Sequence, residues 1–402
     1  MKASDYILRK ALVAADIPSK DWATIHAGLR NRAFFMSRVM EQRILYASRQ
    51  GVKDVLDGKK SKSEIRRDLR KLISHDDRPD DERRGTIQDI FTKRRLDVMI
   101  DTNVRQAKGY AEHIRATSRG ALTAFPAYEF IRERQSKQPR DWDARWVKAA
   151  NEVGWEGVAR NGKKIALKTA PIWTKLSAFG NPFPPFAWGS GMGIEDVERS
   201  VCIKLGLVGD GIPEQEPLKL DLNGHLEADL PDTRRDSLCG KTLTRIFGDQ
   251  ISIDNSKVRW QGNLIQDVLA GRIPKARLGK ASEATLEMLS KVMPNEDVEV
   301  FKGMNPSFNA NTFNEHAIKH FEDNEKRSSN IPLTASDYEL IPTIWRSPDR
   351  VVKVKDHHAV LEFNMLDGSY LQLAMNTMRG FASFYKTKIP LGATPGNAPF
   401  IP

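Results

Sequence analysis

The stretch that decides the N-terminal fold reads Asn181-Pro182-Phe183-Pro184-Pro185-Phe186-Ala187-Trp188-Gly189. Prolines restrict the backbone here, and the rings between them are large apolar groups that must be buried. The surrounding sequence is also rich in rings, because five of the eight tryptophans lie between residues 140 and 190. They are Trp142, Trp146, Trp155, Trp173 and Trp188. This density predicts a small, loop-rich α+β core that packs around aromatic rings.

Helical patterns precede this aromatic region. Apolar residues recur at steps of three and four from about Trp22 to Gln50, which predicts one continuous helix. A second helix is expected to begin after Ser61, because Glu64 three residues later completes a capping box. A third is predicted over about Thr86–Arg119. The chain up to residue 205 is therefore predicted to be a mainly α-helical domain that ends in the aromatic core.

A multidomain chain is predicted from the sequence that follows. Residues 206–240 are acidic, contain proline and lack a helix or strand period, which is typical of a linker. Residues 241–402, with a core over 278–388, are predicted to form an α+β domain with helices packed on an antiparallel sheet. Its elements are expected to be a helix over Ser282–Val292, a helix over about Asn311–Asn324, and strands at Val351–Val354, Val360–Phe363, Tyr370–Met375 and Phe381–Tyr385.

The positive charge is confined to the first part of the chain. Residues 1–150 contain 33 Lys/Arg and 21 Asp/Glu, a net charge of +12, whereas residues 151–402 contain 30 and 31, a net charge of −1. A partner of opposite charge, such as DNA or an acidic protein ring, would be attracted to the basic part. A set of solvated helices of mixed charge is the alternative interpretation of the same clusters.

Membrane insertion and cysteine chemistry are not expected. The sequence lacks an apolar run long enough to span a bilayer and an N-terminal secretory signal, so we expect a cytoplasm-like compartment. Cys202 and Cys239 stand alone, which predicts neither a disulfide framework nor a cysteine zinc site.

Half of the eight histidines lie within 43 residues near the C-terminus, at positions 316, 320, 357 and 358. On a helix, His316 and His320 share a face with Lys319 beside them. This spacing favours either a catalytic cluster or a polar surface helix. Zinc hydrolysis is the least favoured alternative, because Ala317 stands where a zincin has glutamate and no third ligand is evident nearby. No metal or other cofactor is expected.

Three passages of the N-terminal region occur in a distinctive order. They are Ile25-His26-Ala27-Gly28-Leu29-Arg30-Asn31-Arg32-Ala33-Phe34-Phe35, Asp101-Thr102-Asn103-Val104-Arg105-Gln106-Ala107 and Phe183-Pro184-Pro185-Phe186-Ala187-Trp188-Gly189. In these passages the region resembles the phage head morphogenesis family, the Mu-type minor head proteins of the portal vertex. The residues matched to the family motifs are Asp101, Asn103, Arg105, Pro184, Pro185, Trp188 and Gly189.

Packing roles are expected for these motif residues. Asn103 and Arg105 would donate hydrogen bonds from a helix to the aromatic core, and the prolines with Trp188-Gly189 would form a rigid turn around a buried ring. A Cys-x-Cys pair that is common after Trp-Gly in the family is replaced by Ser190 and Met192, which argues against a zinc site. The resemblance implies that the partners are the portal protein, capsid or scaffold proteins, and packaged DNA.

A succession of short motifs runs through the C-terminal region. In order, they are Leu278-Gly279, His316-x-x-Lys319-His320, Ile331–Thr334, Asp337-Tyr338, Ile341-Pro342, Ser347–Val351 and Ser383–Lys386. In this succession the region resembles phage-associated nucleases of the barnase, EndoU, colicin and RelE-like group. Domains of this type occur behind Mu-type head proteins, so the two resemblances support each other. They imply a virion protein of the head interior or portal vertex, which would meet the host cytoplasm during assembly and after ejection.

Metal-independent RNA cleavage needs a base, an acid and a cation near the phosphate. His316 and His320 are the candidates for base and acid, in either order, and Lys319 is the candidate cation. Arg346 or Lys386 would supplement that cation, and Ser383 or Tyr385 would hold a phosphate oxygen. Host RNA is then a further partner. The alternatives are a purely structural virion protein with an inactive nuclease-like domain, and an intracellular nuclease toxin.

Overall fold

The computed structural model describes residues 2–73, 83–86, 88–135, 140–154, 162–209, 214–217, 222, 224–229, 240–254, 257–262, 276–277, 280–308, 330–378 and 380–391. The chain divides into two compact units, Met1–Gln261 and Gly262–Pro402. Each unit has helices and β-sheets, and the second contains an antiparallel sheet with helices packed against it. The C-terminal unit therefore has an α+β architecture.

The first unit contains helices and short strands from its first residues onward. Its described helices are α1 (Ala3–Leu8), α2 (Ser19–Trp22), α3 (Ala27–Arg32), α4 (Gln42–Leu56), α5 (Lys62–Leu72), α6 (Lys93–Ala116), α7 (Arg119–Ala124), α8 (Trp142–Glu152), α9 (Ile172–Leu176), α10 (Arg199–Lys204) and α11 (Gly240–Phe247). Its described strands are β1 (Ala11–Val13), β2 (Ala33–Phe35), β3 (Ala127–Arg132), β4 (Ile165–Leu167), β5 (Met192–Val197), β6 (Glu227–Asp229), β7 (Ile251–Asp254) and β8 (Lys257–Trp260).

Two of the predicted helices are confirmed, with clear start signals. The Ser61 hydroxyl accepts a hydrogen bond from the Glu64 N–H, and the Glu64 carboxylate accepts one from the Ser61 N–H. This capping box begins α5. Helix α6 begins later than predicted, after Thr92, whose hydroxyl accepts from the Arg95 N–H. Since the cap satisfies a backbone donor that the first turn leaves unpaired, it sets where the helix begins.

The prediction of one continuous helix over Trp22–Gln50 is wrong. The chain forms α3, then β2, and only later α4. Strand β2 pairs in parallel with β1, and all three of its residues are buried. Ala33, Phe34 and Phe35 are apolar in succession, so they satisfy a helical stripe and a fully buried strand equally well. The partner strand at Ala11–Val13 decides between the two.

The predicted aromatic core is present in the first unit. It is formed by the sheet β4-β3-β5 and by helices α8 and α9, with Trp146 and Trp173 fully buried. The ring centroids of Trp146 and Trp173 are 5.5 Å apart in an edge-to-face arrangement, and Phe130 stacks on Trp146 at 5.7 Å. Such pairs stabilise beyond the area that they bury.

The domain boundary differs from the predicted one. We expected a linker over 206–240 and a second domain from residue 241, but the first compact unit extends to Gln261. Strands β6, β8 and β7 form an antiparallel sheet in that order, and α11 lies between β6 and β7 in the chain. Phe247 and Trp260 pack in one core with Trp22, with 6.0 Å between the Trp22 and Phe247 rings. Burial of these apolar residues ties residues 240–261 to the N-terminal unit.

The second unit contains short helices followed by a run of longer strands. Its described elements are β9 (Ala276–Arg277), α12 (Glu283–Ser290), α13 (Asn295–Gly303), β10 (Ser307–Phe308), β11 (Asn330–Ile331), α14 (Ala335–Tyr338), α15 (Ile341–Arg346), β12 (Arg350–Lys355), β13 (His358–Asn364), β14 (Tyr370–Asn376) and β15 (Gly380–Thr387). The predicted helix at Ser282–Val292 corresponds to α12, with Ser282 as its N-cap. The predicted helix at 311–324 lies outside the described residues.

The four predicted C-terminal strands are confirmed. Strands β12 to β15 pair antiparallel in chain order, and β11 pairs with β15 at the other edge. Helix α15 packs on β13 and β14, where Trp345 is fully buried. The apolar face beneath it includes Leu361, Leu371 and Leu373, none of which is exposed. The interior residues of β13 and β14 are buried on both faces, which explains why their sequences are nearly continuous apolar runs.

Candidate functional site

The three central residues of the predicted nuclease site, His316, Lys319 and His320, lie outside the described residues. Arg346, a candidate supplementary cation, is the last residue of α15 and is exposed. Its Nε donates a hydrogen bond to the Pro342 carbonyl at 3.1 Å, and its own carbonyl accepts one from the Ser282 hydroxyl. The backbone of Ser383 pairs with Ala374 on the neighbouring strand.

Lys386 is a buried cation. It lies on β15, and its Nζ is 3.4 Å from Asp337 Oδ1 and 3.5 Å from Asp367 Oδ2. The Lys386 side chain is 8% exposed and that of Asp337 is fully buried. Asp337 also accepts hydrogen bonds from the Thr334 N–H at 2.7 Å and its hydroxyl at 2.8 Å. The ammonium charge is therefore already compensated inside the domain.

Tyr385 and Lys386 lie on opposite faces of the sheet, because successive side chains of a strand point to opposite faces. Lys386 is paired in register with Leu371, on the face that the helices cover, and Tyr385 with Gln372 on the other face. We predicted that both residues belong to one site. The alternation of β15 separates them.

A polar cluster that the sequence analysis missed lies on the Tyr385 face of the sheet. The Glu362 carboxylate accepts hydrogen bonds from Gln372 Nε2 at 2.7 Å and from the Leu391 N–H at 2.6 Å. Gln372 also donates to the Ile389 carbonyl, and Arg350 donates to the Leu391 carbonyl. Glu362 and Gln372 are buried. The segment after β15 is thus held against this polar face.

The signal for this cluster was present in the sequence. Glu362 and Gln372 each interrupt an otherwise apolar strand, in Val360-Leu361-Glu362-Phe363 and Leu371-Gln372-Leu373. A polar residue inside a buried strand requires a hydrogen-bond partner, so it marks a specific interaction.

His357 directly precedes β13, and His358 is the first residue of that strand. His357 is exposed and adopts φ +64 between β12 and β13. Its Nδ1 lies 2.8 Å from Asp297 Oδ1, and this hydrogen bond raises the pKa of the imidazole. The His358 Nδ1 lies 2.9 Å from the Asp356 carbonyl oxygen. His357 is therefore tied to helix α13 through a carboxylate.

In the N-terminal unit, Arg105 connects α6 to the aromatic core. Its Nη1 donates to the Ser190 carbonyl at 2.7 Å, and its Nη2 is 3.3 Å from Glu133 Oε2. Asn103 differs from expectation, because its Nδ2 donates to the Met99 carbonyl one turn earlier in the same helix. Asp101 forms an ion pair with Lys62 of α5.

The Pro184-Pro185 passage lies against the same helix. The peptide bond between the two prolines is cis, and the flanking rings of Phe183 and Phe186 are fully buried. Trp188 is half-buried, and its carbonyl accepts a hydrogen bond from Arg140 Nη2 at 2.7 Å. Gly189 has φ +62, a conformation that favours glycine.

Gly109 permits the close approach of α6 to this passage. A Cβ at Gly109 would lie 2.3 Å from the Pro184 carbonyl oxygen, whereas one at Gly120 would meet nothing within 4 Å. We expect Gly109→Ala to destabilise the first unit by about 1–3 kcal/mol through overpacking. Gly120→Ala is the matched control and should be neutral or stabilising by up to about 1 kcal/mol. Thermal denaturation of both variants measures these changes in stability. Equal melting temperatures would contradict the close contact between Gly109 and Pro184.

A cleft of about 530 Å³ opens beside this contact, between α6 and β5. Its helical wall is one face of α6, and its other wall comes from β3, β5 and the Pro184 loop. The lining residues are Arg105, Lys108, Gly109, Glu112, His113, Ala116, Tyr128, Glu133, Pro184, Ile194, Glu195 and Asp196. This volume lies within the usual range of ligand sites.

His113 is the buried residue of this cleft. It is 1% exposed, and neither ring nitrogen has a hydrogen-bond partner within the described residues. Its ring lies 5.5 Å from the Phe183 ring and 6.3 Å from the Tyr128 ring. Burial, with a smaller contribution from the Lys168 charge, lowers the pKa of His113 to about 4. The imidazole is neutral at physiological pH.

Lys168 is buried next to His113. Its Nζ lies 2.6 Å from Asp196 Oδ1, donates to the Ala116 carbonyl at 3.2 Å and sits 4.8 Å from the Tyr128 ring centroid. Burial raises the pKa of Tyr128 well above its usual value, so its phenol stays neutral as well.

The depressed pKa of His113 predicts acid lability of the first unit. Between pH 6.5 and about 4 the unfolded chain protonates this imidazole and the folded chain does not, so stability falls as the pH falls. The difference amounts to about 3 kcal/mol once the pH is below both values. His113→Phe should remove this component, as measured by the difference between the two proteins in denaturation at a series of pH values. Parallel pH profiles would contradict the prediction.

A basic cleft of about 440 Å³ lies between α5 and the start of α6. It is lined by Ser63, Arg66, Arg67, Arg70, Lys71 and Lys93, without a carboxylate. Arg66 is paired with Asp97, and Arg70 Nε donates to the Phe91 carbonyl at 3.0 Å. Arginine and lysine on facing helices form a surface that attracts phosphate groups.

Comparisons with known proteins found no match for this chain among family models, curated proteins or solved structures. Within the described residues, no three His, Cys, Asp or Glu side chains come together to hold a metal ion. None of the helices in the described part of the chain combines the length and the apolar character needed to span a bilayer.

Proposed function

We propose that this chain is a phage minor head protein of the portal vertex and head interior, which carries a C-terminal metal-independent ribonuclease-like domain delivered with the genome. The observation that carries the proposal is the antiparallel sheet β12 to β15 with helices packed on one face, in a separate compact unit. This is the arrangement that the nuclease resemblance implies. The helical and aromatic first unit fits the resemblance to head proteins in the same way.

The basic cleft supports the DNA contact that the head-protein proposal includes. Five cationic side chains line it, and the excess of positive charge lies in the first 150 residues. A sequence-independent contact with packaged DNA needs only such a surface. The portal, capsid or scaffold proteins are the protein partners in this proposal.

Cleavage of RNA is the test for the enzymatic half. The purified full chain is expected to cleave a labelled RNA with and without a chelator, because histidines and not a metal would move the protons. Cleavage that stops on chelation would instead favour a zinc-dependent hydrolase. A full chain that cleaves no RNA under either condition would leave the purely structural alternative.

The protein composition of purified virions tests the head-protein half of the proposal. Purified particles should contain the full chain in a small number of copies, detected by mass spectrometry after nuclease treatment and washing. Its absence from the particles would overturn the head-protein proposal. If the full chain nevertheless cleaved RNA, the intracellular toxin alternative would remain.

A further inference from the structure

The α6–β5 cleft is bordered by the edge of a strand. Ile194, Glu195 and Asp196 are consecutive in β5, and all three line the cleft. Since side chains alternate across a strand, three consecutive residues can line one cleft only if the strand presents its edge to it. Among the described strands, β5 is bonded to β3 alone. At alternate residues of β5, the backbone N–H and C=O groups therefore point away from β3 and lie on the free edge of the sheet.

The charges around the cleft favour a basic occupant. Its lining residues include four carboxylates and two cations. Glu133 is paired with Arg105, and Asp196 is paired with Lys168 behind the cleft. Within the described residues, Glu112 and Glu195 form no ion pair, although the charge of Glu195 contributes to raising the pKa of Lys163, which is paired with Glu129. Glu112 belongs to the helical wall of the cleft and Glu195 to the strand wall. A lysine or arginine side chain between them would be compensated from both sides.

His113 is an independent sign that a polar ligand belongs here. It is almost fully buried, it lines the cleft, and both of its ring nitrogens lack a partner within the described residues. A neutral imidazole has one donor and one acceptor, and leaving them unpaired costs free energy. A peptide segment in the cleft brings N–H and C=O groups that pair with both.

We propose that the cleft binds an extended, basic segment of a partner protein, which adds as a strand to the free edge of β5. A lysine or arginine of that segment would lie between Glu112 and Glu195, and a polar group of it would hydrogen-bond His113. Main-chain pairing supplies affinity in this binding mode, and side-chain pockets supply selectivity. The inference does not depend on the proposed function.

The test begins with a random peptide library selected on the immobilised full chain. Peptides with lysine or arginine among β-branched residues are expected to be enriched. Binding of the selected peptides should weaken at least about tenfold in the double variant Glu112→Lys/Glu195→Lys, because two attractive charges become repulsive. Glu214→Lys, a reversal at an exposed described residue outside the cleft, should bind like the parent chain. Failure to enrich peptides over the double variant, or enrichment of acidic peptides, would overturn the proposal.

Strand addition is tested separately on the selected peptide. N-methylation of alternate residues on one side of the peptide should abolish binding, and N-methylation of the other alternate set should leave it intact. If N-methylation of either set of residues had the same effect on binding, the peptide would not extend the sheet.

His113→Phe separates a binding role from a structural one. The phenyl ring fills similar space and has no polar atom to leave unpaired, so the free protein should melt at the same or a higher temperature. Peptide affinity should fall about 2–10-fold, because a hydrogen bond is lost. Unchanged affinity in a folded His113→Phe chain would show that the occupant does not contact the imidazole.

Discussion

Alanine in place of His316 or His320 is expected to lower RNA cleavage by the full chain by about 10²–10⁴-fold. The physical reason is that each histidine would transfer one proton, from the attacking 2′-hydroxyl or to the departing 5′-oxygen. Loss of either proton transfer leaves a transition state whose charge is uncompensated. The measurement is the initial rate of cleavage of a labelled RNA in the presence of a chelator.

His225→Ala is the matched control for these two variants. It removes an imidazole from the first unit, at a described position apart from the predicted nuclease residues, and should cleave at the rate of the parent chain. If the rates of His316→Ala and His320→Ala equal that of the control, the assignment of the site to this pair is wrong. Loss of activity in one variant only would identify a single essential histidine.

The C-terminal sheet could be predicted because its strands carry a simple local signal. In β13 and β14 apolar residues are nearly continuous, and turn-forming residues such as Gly368 separate the strands. Consecutive antiparallel strands need only short connections. The pairing in chain order therefore follows from local information.

Long-range contacts explain what could not be predicted. Phe34 and Phe35 form a strand because β1 lies beside them, and the sequence around them does not reveal that neighbour. A second domain was predicted to begin at residue 241, but Phe247 and Trp260 are buried in a core shared with Trp22. Hydrophobic periodicity indicates which side of a helix or strand is buried. It does not indicate which distant residues cover that side.

The types of residue in the candidate site could be predicted from the sequence, but their positions and contacts in the fold could not. The sequence predicts Lys386 as a candidate cation that would supplement Lys319 at the phosphate. In the fold, Asp337 is brought to Lys386 from 49 residues away. Conversely, Glu362 interrupts an apolar strand and could have been singled out from the sequence, whereas His113 belongs to no motif and is distinguished only by its burial in the fold.

Removal of the Asp337 carboxylate is expected to be the most destabilising single change in the second unit. Asp337→Ala leaves Lys386 buried with only Asp367, whose side chain is 59% exposed, and also removes the acceptor of the Thr334 N–H. An uncompensated buried charge costs about 3–5 kcal/mol. Asp356→Ala removes an ion pair with Lys353 at an aspartate that is 86% exposed, and should change the stability little, because solvent screens such a surface pair.

Hydrogen exchange of the β14 and β15 amides measures this loss without requiring the two units to unfold together. The double variant Asp337→Ala/Lys386→Met is expected to recover much of the lost protection, because it replaces the buried pair by apolar groups. Recovery would show that Asp337 matters through the lysine charge, whereas a double variant as unstable as Asp337→Ala would assign the effect to the Thr334 cap. RNA cleavage by the same double variant then decides the remaining question about Lys386. If a stable chain without the ammonium group cleaves RNA at the parent rate, Lys386 stabilises the fold and Lys319 or Arg346 must supply the cation.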